Sequence, residues 1–418
     1  MMRTFKIALA TGLLGVFTLA APACKWTDFD DLETESWVES TEKPNSNSND
    51  YGVALAPSVR ASASGGTLIV LGAGQALYTE LDYKAAGGAD LVASTELKLN
   101  TQFAIGNLDV QPILITSPDS DEAALITNSG GNGSIAVLKG EHGLMSSQIF
   151  GPTSPDAATY FVGIGKTVAA PIVAADDADG FGAVFGPPVN NTQPKCLLVD
   201  DAAMPIETRG IAGVKITKTD SDDIVVWNSD GKLFIFDGAA FDGCVGTAAP
   251  ISTAVDVGFA PAKNASMHVL DGKYVMLAGR KESGDGAFVA IYDVTAVDPL
   301  MPLVLKPTLV GAPLDRAGIR STAILDVAGQ RYLIAGFPLA TVDATTSGEV
   351  LAFPFDTTAG ITPTPAMTLH DAQPESNQTY GRAVAVFQYN GKSILAVSAD
   401  NEIFAYYQTP LYGETRLR

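Results

Sequence analysis

Seven times along the chain, a turn built on Gly or a polar residue is followed by four or five alternating apolar residues, often ending in Asp. The copies read GQALYTEL (74–81), GSIAVLKG (133–140), PKCLLVDD (194–201), GKLFIFDG (231–238), GAFVAIYD (286–293), GEVLAFPFD (348–356) and NEIFAYY (401–407). They return about every 54 residues, a period that belongs to repeat architectures. A second apolar run precedes each ending: TLIVLGAG, QPILITSP, GAVFGPP, DIVVWNSDG, KYVMLAGR, RYLIAGFP and SILAVSAD. Before most of these lies a third, as in YGVALAPSV, ASMHVLDG and YGRAVAVFQY. Asp230-Gly231, Asp271-Gly272, Ala328-Gly329 and Asn390-Gly391 join the runs with hairpin chemistry. Each unit thus has three legible strands, with a fourth in the less regular sequence between copies.

A four-stranded sheet of this composition cannot cover both of its faces. Seven such sheets set around an axis cover one another and leave only short edges. Middle strands would then be buried on both sides and apolar throughout, as LIVLG, IVVW, YVMLAG and ILAVS are. The expected fold is therefore all-β: a seven-bladed β-propeller of four-stranded antiparallel blades over residues 50–418. β-Sandwich domains are the alternative, since they also give short strands with Gly turns.

The units resemble the FG-GAP repeat of integrin-α-type propellers. Tyr380-Gly381 and Tyr51-Gly52 match its aromatic-Gly start. Ala335-Gly336-Phe337-Pro338 stands where Gly-Ala-Pro would be, and Gly348-Glu349-Val350 opens the closing strand. The resemblance implies adhesion or ligand binding, and it implies calcium held in a D-x-D-x-D-G loop. The nearest sets here are Asp220, Asp222 and Asp223, or Asp176, Asp177 and Asp179 with Gly180. Both fall short of the regularly spaced oxygens a calcium loop needs, and Asp-rich surface turns also occur without metal. No other cofactor is indicated.

The N-terminus carries an address. Arg3 and Lys6 precede the uncharged stretch 7–21, too short for a membrane span and followed by Ala21-Pro22-Ala23. Residues 1–23 read as a secretory signal. Cys24 then resembles the first residue of bacterial lipoproteins, whose thiol is acylated, although Pro22 departs from that pattern. The alternative is ordinary cleavage and secretion. The chain has three cysteines; with Cys24 acylated, Cys196 and Cys244 remain as a pair for a disulfide in an exported compartment, or as two buried thiols. Residues 24–49, acidic and ending in Pro, Asn and Ser, read as a flexible tether that also holds Trp26, Phe29 and Trp37.

A net charge of −20 argues against nucleic acid, so membrane attachment would come through a lipid anchor alone. The three histidines, His142, His268 and His370, lie at no metal spacing, and His268 sits in an apolar strand. No G-x-S-x-G elbow occurs. The reading is an exported, lipid-anchored protein of the bacterial envelope or cell surface that binds a protein or glycan through propeller loops without catalysis. A propeller-type polysaccharide hydrolase or lyase is the alternative. The connections 83–99, 141–159, 238–263, 302–315 and 357–379 are where a partner is expected.

Overall fold

The computed structural model describes the strands between residues 38 and 176 and, with short breaks, residues 181–406. Seven antiparallel sheets follow one another along the chain. Blade 1 holds Tyr51–Pro57, Thr67–Gly72, Leu77–Ala85 and Leu91–Ser94. Blade 2 holds Leu114–Thr116, Ala123–Ser129, Asn132–Leu138 and Met145–Phe150. Blade 3 holds Phe161–Gly163, Val173–Asp176, Gly182–Phe185 and Lys195–Leu198, and blade 4 holds Thr208–Val214, Asp223–Asn228, Lys232–Phe236 and Val255–Asp256. Blade 5 holds Ser266–Leu270, Tyr274–Arg280, Ala287–Asp293 and Val304–Leu305. In blade 6, Ser321–Val327, Gln330–Phe337 and Glu349–Asp356 are followed by two short strands, Gly360–Ile361 and Met367–Leu369, on one outer edge.

The first strand of each blade touches the first strand of the next, and the series closes from blade 7 back to blade 1. The fold is a seven-bladed β-propeller. Each middle strand serves two interfaces, because successive side chains point to opposite faces of a sheet. In Lys392–Ala399, Ile394 and Ala396 pack toward blade 1, while Leu395, Val397 and Ala399 pack toward blade 6. In Asp223–Asn228, Ile224 and Val226 face blade 3, while Val225 and Trp227 face blade 5. Burial on both sides is why the middles of these strands, Ile394–Val397 and Ile224–Trp227, are apolar at consecutive positions rather than at alternate ones.

The ring is closed by the N-terminus. Val384–Tyr389, Lys392–Ala399 and Glu402–Tyr406 supply three strands of blade 7, and Val38–Glu42 is its fourth. It pairs antiparallel with the last strand, from Val38 opposite Tyr406 to Glu42 opposite Glu402. This corrects the tether expected over 24–49: five of its residues are a structural strand. Backbone pairing to the edge of the third strand tolerates the polar sequence VESTE, because a fourth strand lies at the rim.

Two further expectations shift. In blade 2 the run ILIT is the first strand, and the second is Ala123–Ser129, which the repeat pattern had passed over. In blade 3, Lys195–Leu198 is the fourth strand rather than the third, and Val173–Asp176 is the second. The supposed loops 83–99, 141–159, 238–263, 302–315 and 357–379 contain the outer strands of blades 1, 2, 4, 5 and 6.

Blade 3 gains a fifth strand from its neighbour. Gly246–Ala248, on the way from the third to the fourth strand of blade 4, pairs parallel with Lys195–Leu198. Phe241 and Ala248 of this excursion are buried in the core between blades 3 and 4.

Candidate functional site

Antiparallel order gives the disc two faces. Face I carries the turns from second to third strands and the connections between blades. Face II carries the turns from first to second and from third to fourth strands.

Turn chemistry on face II is structural. Asp271 and Gly272 both take positive φ, 56° and 60°, as an Asp-Gly hairpin turn requires. The Asp271 carboxylate is held in two contacts by the Arg331 guanidinium of blade 6, at 2.7 and 2.5 Å, which keeps its pKa below the usual carboxylate range. The Asp that ends many third strands also has a local task. Asp237 accepts from the N–H of Ala239 at 2.9 Å, and Asp356 accepts from Thr358 and Ala359 at 2.6 and 2.9 Å.

Among the described residues, face I carries an element that closure of the ring does not need. Eleven residues separate Phe337 from Glu349 in blade 6. In the same place two separate Ala399 from Glu402, and three separate Asn228 from Lys232. The extra length folds into its own hairpin, Thr341–Val342 against Thr345–Thr346, with Ala344 at φ 66° in its turn. Gly348 N–H closes its base on Ala340 C=O at 3.1 Å. The connection from blade 6 to blade 7 braces it: Asn377 N–H reaches Thr346 C=O at 2.9 Å, and Tyr380 N–H reaches Ser347 C=O at 2.8 Å. The hairpin is thus a fixed ridge. Val342 is buried beneath it, whereas Leu339 is 57% exposed and Thr341, Ala344, Thr346, Glu375, Ser376 and Asn377 are exposed.

Below the ridge the packing leaves no slack. Tyr380 and Tyr406 are fully buried and hydrogen-bonded through their hydroxyls. Burial pushes both phenols above their ordinary pKa. Gln378 donates to the buried Asp371 carboxylate, and His370 donates from Nδ1 to the Asp371 carbonyl at 2.9 Å. Gly336, Gly348 and Gly381, the glycines of the repeat-like motifs, meet here. A Cβ on Gly336 would stand 2.0 Å from the Gly381 carbonyl, and one on Gly348 would stand 2.2 Å from the Tyr380 carbonyl.

The residues singled out from sequence fall as follows. Cys196, buried on the outer strand of blade 3, is disulfide-bonded. It stands opposite Gly246 in the parallel pair, two positions beyond Cys244, which lies outside the described residues together with Cys24. Asp223 is fully buried, and its oxygens accept from Ile216 N–H at 2.7 Å and Gly238 N–H at 2.9 Å. This carboxylate ties two turns of blade 4 together. Asp176 ends the second strand of blade 3. Asp177, Asp179, Asp220 and Asp222 lie outside the described residues, as does His142. Among the described residues, no three His, Cys, Asp or Glu side chains are grouped as for a metal ion. The ridge was not anticipated; the signal for it was the run from Pro338 to Gly348 between two strands that tight turns join in other copies.

No family model matches the chain, and no curated protein matches its sequence. Among solved structures it is similar to BBS1N, crystallised in complex with ARL6DN: 12% identity over 88% of this chain and 96% of that one, with a TM-score of 0.50. It is also similar to the Pan2 WD40 domain of Neurospora crassa, at 9% identity over 88% of this chain and 94% of that one, with a TM-score of 0.49. The likeness to BBS1N is one of fold, a β-propeller.

Proposed function

We propose that this chain is an exported, lipid-anchored protein of the cell envelope whose propeller binds a protein or glycan partner on face I, without catalysis. The ridge of blade 6 carries this reading. An ordered insertion that closes no blade and presents Leu339 among threonine hydroxyls and Asn/Ser polar groups has the make-up of a contact surface. That BBS1N was solved in complex with ARL6DN accords with a propeller offering a surface to another protein.

The direction of the N-terminal strand supports the same side. Val38 pairs with Tyr406, at the face II end of its strand, so the chain from Cys24 enters the disc on face II. Acylation at Cys24 would leave residues 25–37 as the tether, with a full reach of about 45 Å. Face II is then the side toward the membrane, and the ridge points away from it.

The test is a pull-down from envelope extract and a glycan panel with the mature chain, with and without chelator. A partner retained by the native protein and lost when Thr341–Thr346 is replaced by a Gly-Ser turn supports the reading. Undiminished capture by that variant overturns the assignment to face I. Binding that disappears with chelator would instead point to calcium at the Asp176 or Asp220 sets. Mass spectrometry of the mature N-terminus shows whether Cys24 carries acyl chains, and protease shaving of intact cells shows whether the ridge lies outside.

A further inference from the structure

Four Asn-x-Ser/Thr triplets stand in the chain, at Asn132, Asn190, Asn264 and Asn377. In an exported protein such a triplet is an acceptor of asparagine-linked sugar when it lies on the surface. The fold separates the four. Asn132 and Ser134 are paired within the ladder of blade 2, opposite Ser129 and Thr127. The hydroxyl that belongs to the Asn264 triplet, on Ser266, is engaged with the Ala278 carbonyl and with Thr322 of blade 6. Asn264 itself and Asn190 lie outside the described residues. Asn377-Gln378-Thr379 is in the connection from blade 6 to blade 7 on face I, and Asn377 is exposed.

This triplet is anchored by its backbone and by its middle residue. Asn377 N–H is bonded to Thr346 C=O at 2.9 Å, and Tyr380 N–H to Ser347 C=O at 2.8 Å. Gln378 Oε1 accepts from Glu375 N–H at 3.1 Å, and its Nε2 donates to the Asp371 carboxylate. The two groups that the signal requires are left over: the Asn377 carboxamide and the Thr379 hydroxyl make no hydrogen bond among the described residues. Thr379 also takes φ 55°, a left-handed value that a β-branched residue tolerates poorly and that Gly or Asn would meet at less cost. The turn therefore does not account for threonine here; a signal that requires a hydroxyl two residues after the asparagine does. Glu375, exposed two positions ahead, gives the longer acidic form, Glu-x-Asn-x-Thr, in which bacterial transferases take this signal.

We propose that Asn377 is a site of N-glycosylation, with a lipid-linked oligosaccharyl diphosphate as the donor. Asn377 Nδ2 bonds to the anomeric carbon and the bond from that carbon to the diphosphate oxygen breaks. The diphosphate leaves with the electron pair, and the amide gives up one proton. The sugar would stand beside Thr346, at the foot of the ridge. The proposal rests on the export reading above, because export brings the chain to the side of the membrane where such sugars are transferred. The test uses the native chain isolated from its own envelope. Cleavage after glutamate frees the peptide 376–402, in which Asn377 is the single Asn-x-Ser/Thr acceptor. Its mass should exceed the sequence value by a chain of sugar units, and fragmentation should place them on Asn377. Asn377→Gln and Thr379→Ala should each lose the whole increment, whereas Thr379→Ser, which keeps the hydroxyl, should retain it. Bare Asn377 in a chain whose residues 1–23 have been removed overturns the proposal and leaves export standing. Bare Asn377 in a chain that keeps residues 1–23 overturns both. An increment that survives Thr379→Ala also overturns the proposal.

Discussion

Gly348 and Gly329 both take positive φ, 94° and 83°, yet they differ in what surrounds them. A Cβ at Gly329 meets nothing within 4 Å, while one at Gly348 collides with the Tyr380 backbone. Gly329→Ala should cost about 1 kcal/mol, the backbone strain alone. Gly348→Ala should cost about 3 kcal/mol or more and separate blade 6 from blade 7; urea unfolding of the two variants measures the difference. Asp223→Ala leaves one buried and one partly buried backbone N–H group without its acceptor and should lose about 2–5 kcal/mol by the same measurement. His268 makes the protein acid-sensitive. Its pKa is about 4 in the fold against 6.5 in the unfolded chain, and burial alone lowers it. The unfolded state therefore binds more protons between these values. Stability from the neutral ring is complete above about pH 6.5 and falls as pH drops toward 4. Thermal melts across this window should show a steeper decline in the native chain than in His268→Gln. At this scale the sequence was partly legible. Tyr380-Gly381 and Gly348 stood out because close backbone contact admits no other residue. The contact of Ser266 Oγ with Thr322 Oγ1, at 2.6 Å between blades 5 and 6, joins positions 56 residues apart and left no local trace.

Strands were readable in proportion to how fully they are buried. Asp223–Asn228 and Gln330–Phe337 show continuous apolar runs because both faces are covered, and their Asp-Gly and Ala-Gly joins fixed the pairing. Fourth strands such as Val255–Asp256 and Gly360–Ile361 are only two residues long, with no room for a periodic pattern. Val173–Asp176, with two alanines, was too weakly apolar to separate from its neighbours, and the count in blade 3 slipped by one. The ridge was read as part of the join between two strands, since six of the residues at 338–348 are Thr, Ser or Ala. Because it closes no blade, replacing Thr341–Thr346 with a short Gly-Ser turn should move the melting temperature by no more than about 2–4 °C while abolishing partner capture. The excursion of blade 4 has its own test. Non-reducing peptide mapping should recover Cys196 joined to Cys244, and Cys196→Ser should lower stability by about 4 kcal/mol.

Seven blades were legible from the period alone, but the order of closure was not. An acidic, polar segment gives no sign that it will be a strand until an edge is offered to it. Val38–Glu42 finds that edge on Glu402–Tyr406. A chain beginning at residue 38 should therefore fold and unfold in one cooperative transition. A chain beginning at residue 43 should expose the last blade to limited proteolysis and lose that cooperativity; trypsin digestion and calorimetry distinguish the two. The same arrangement sets a schedule for biogenesis. The earliest strand to leave the ribosome is among the last to be seated, because its mate lies about 360 residues downstream. At about 5–20 residues per second, that wait is on the order of tens of seconds. Throughout it, an unpaired β-segment needs shielding from stray partners, and the ring stays unlatched until synthesis is nearly complete.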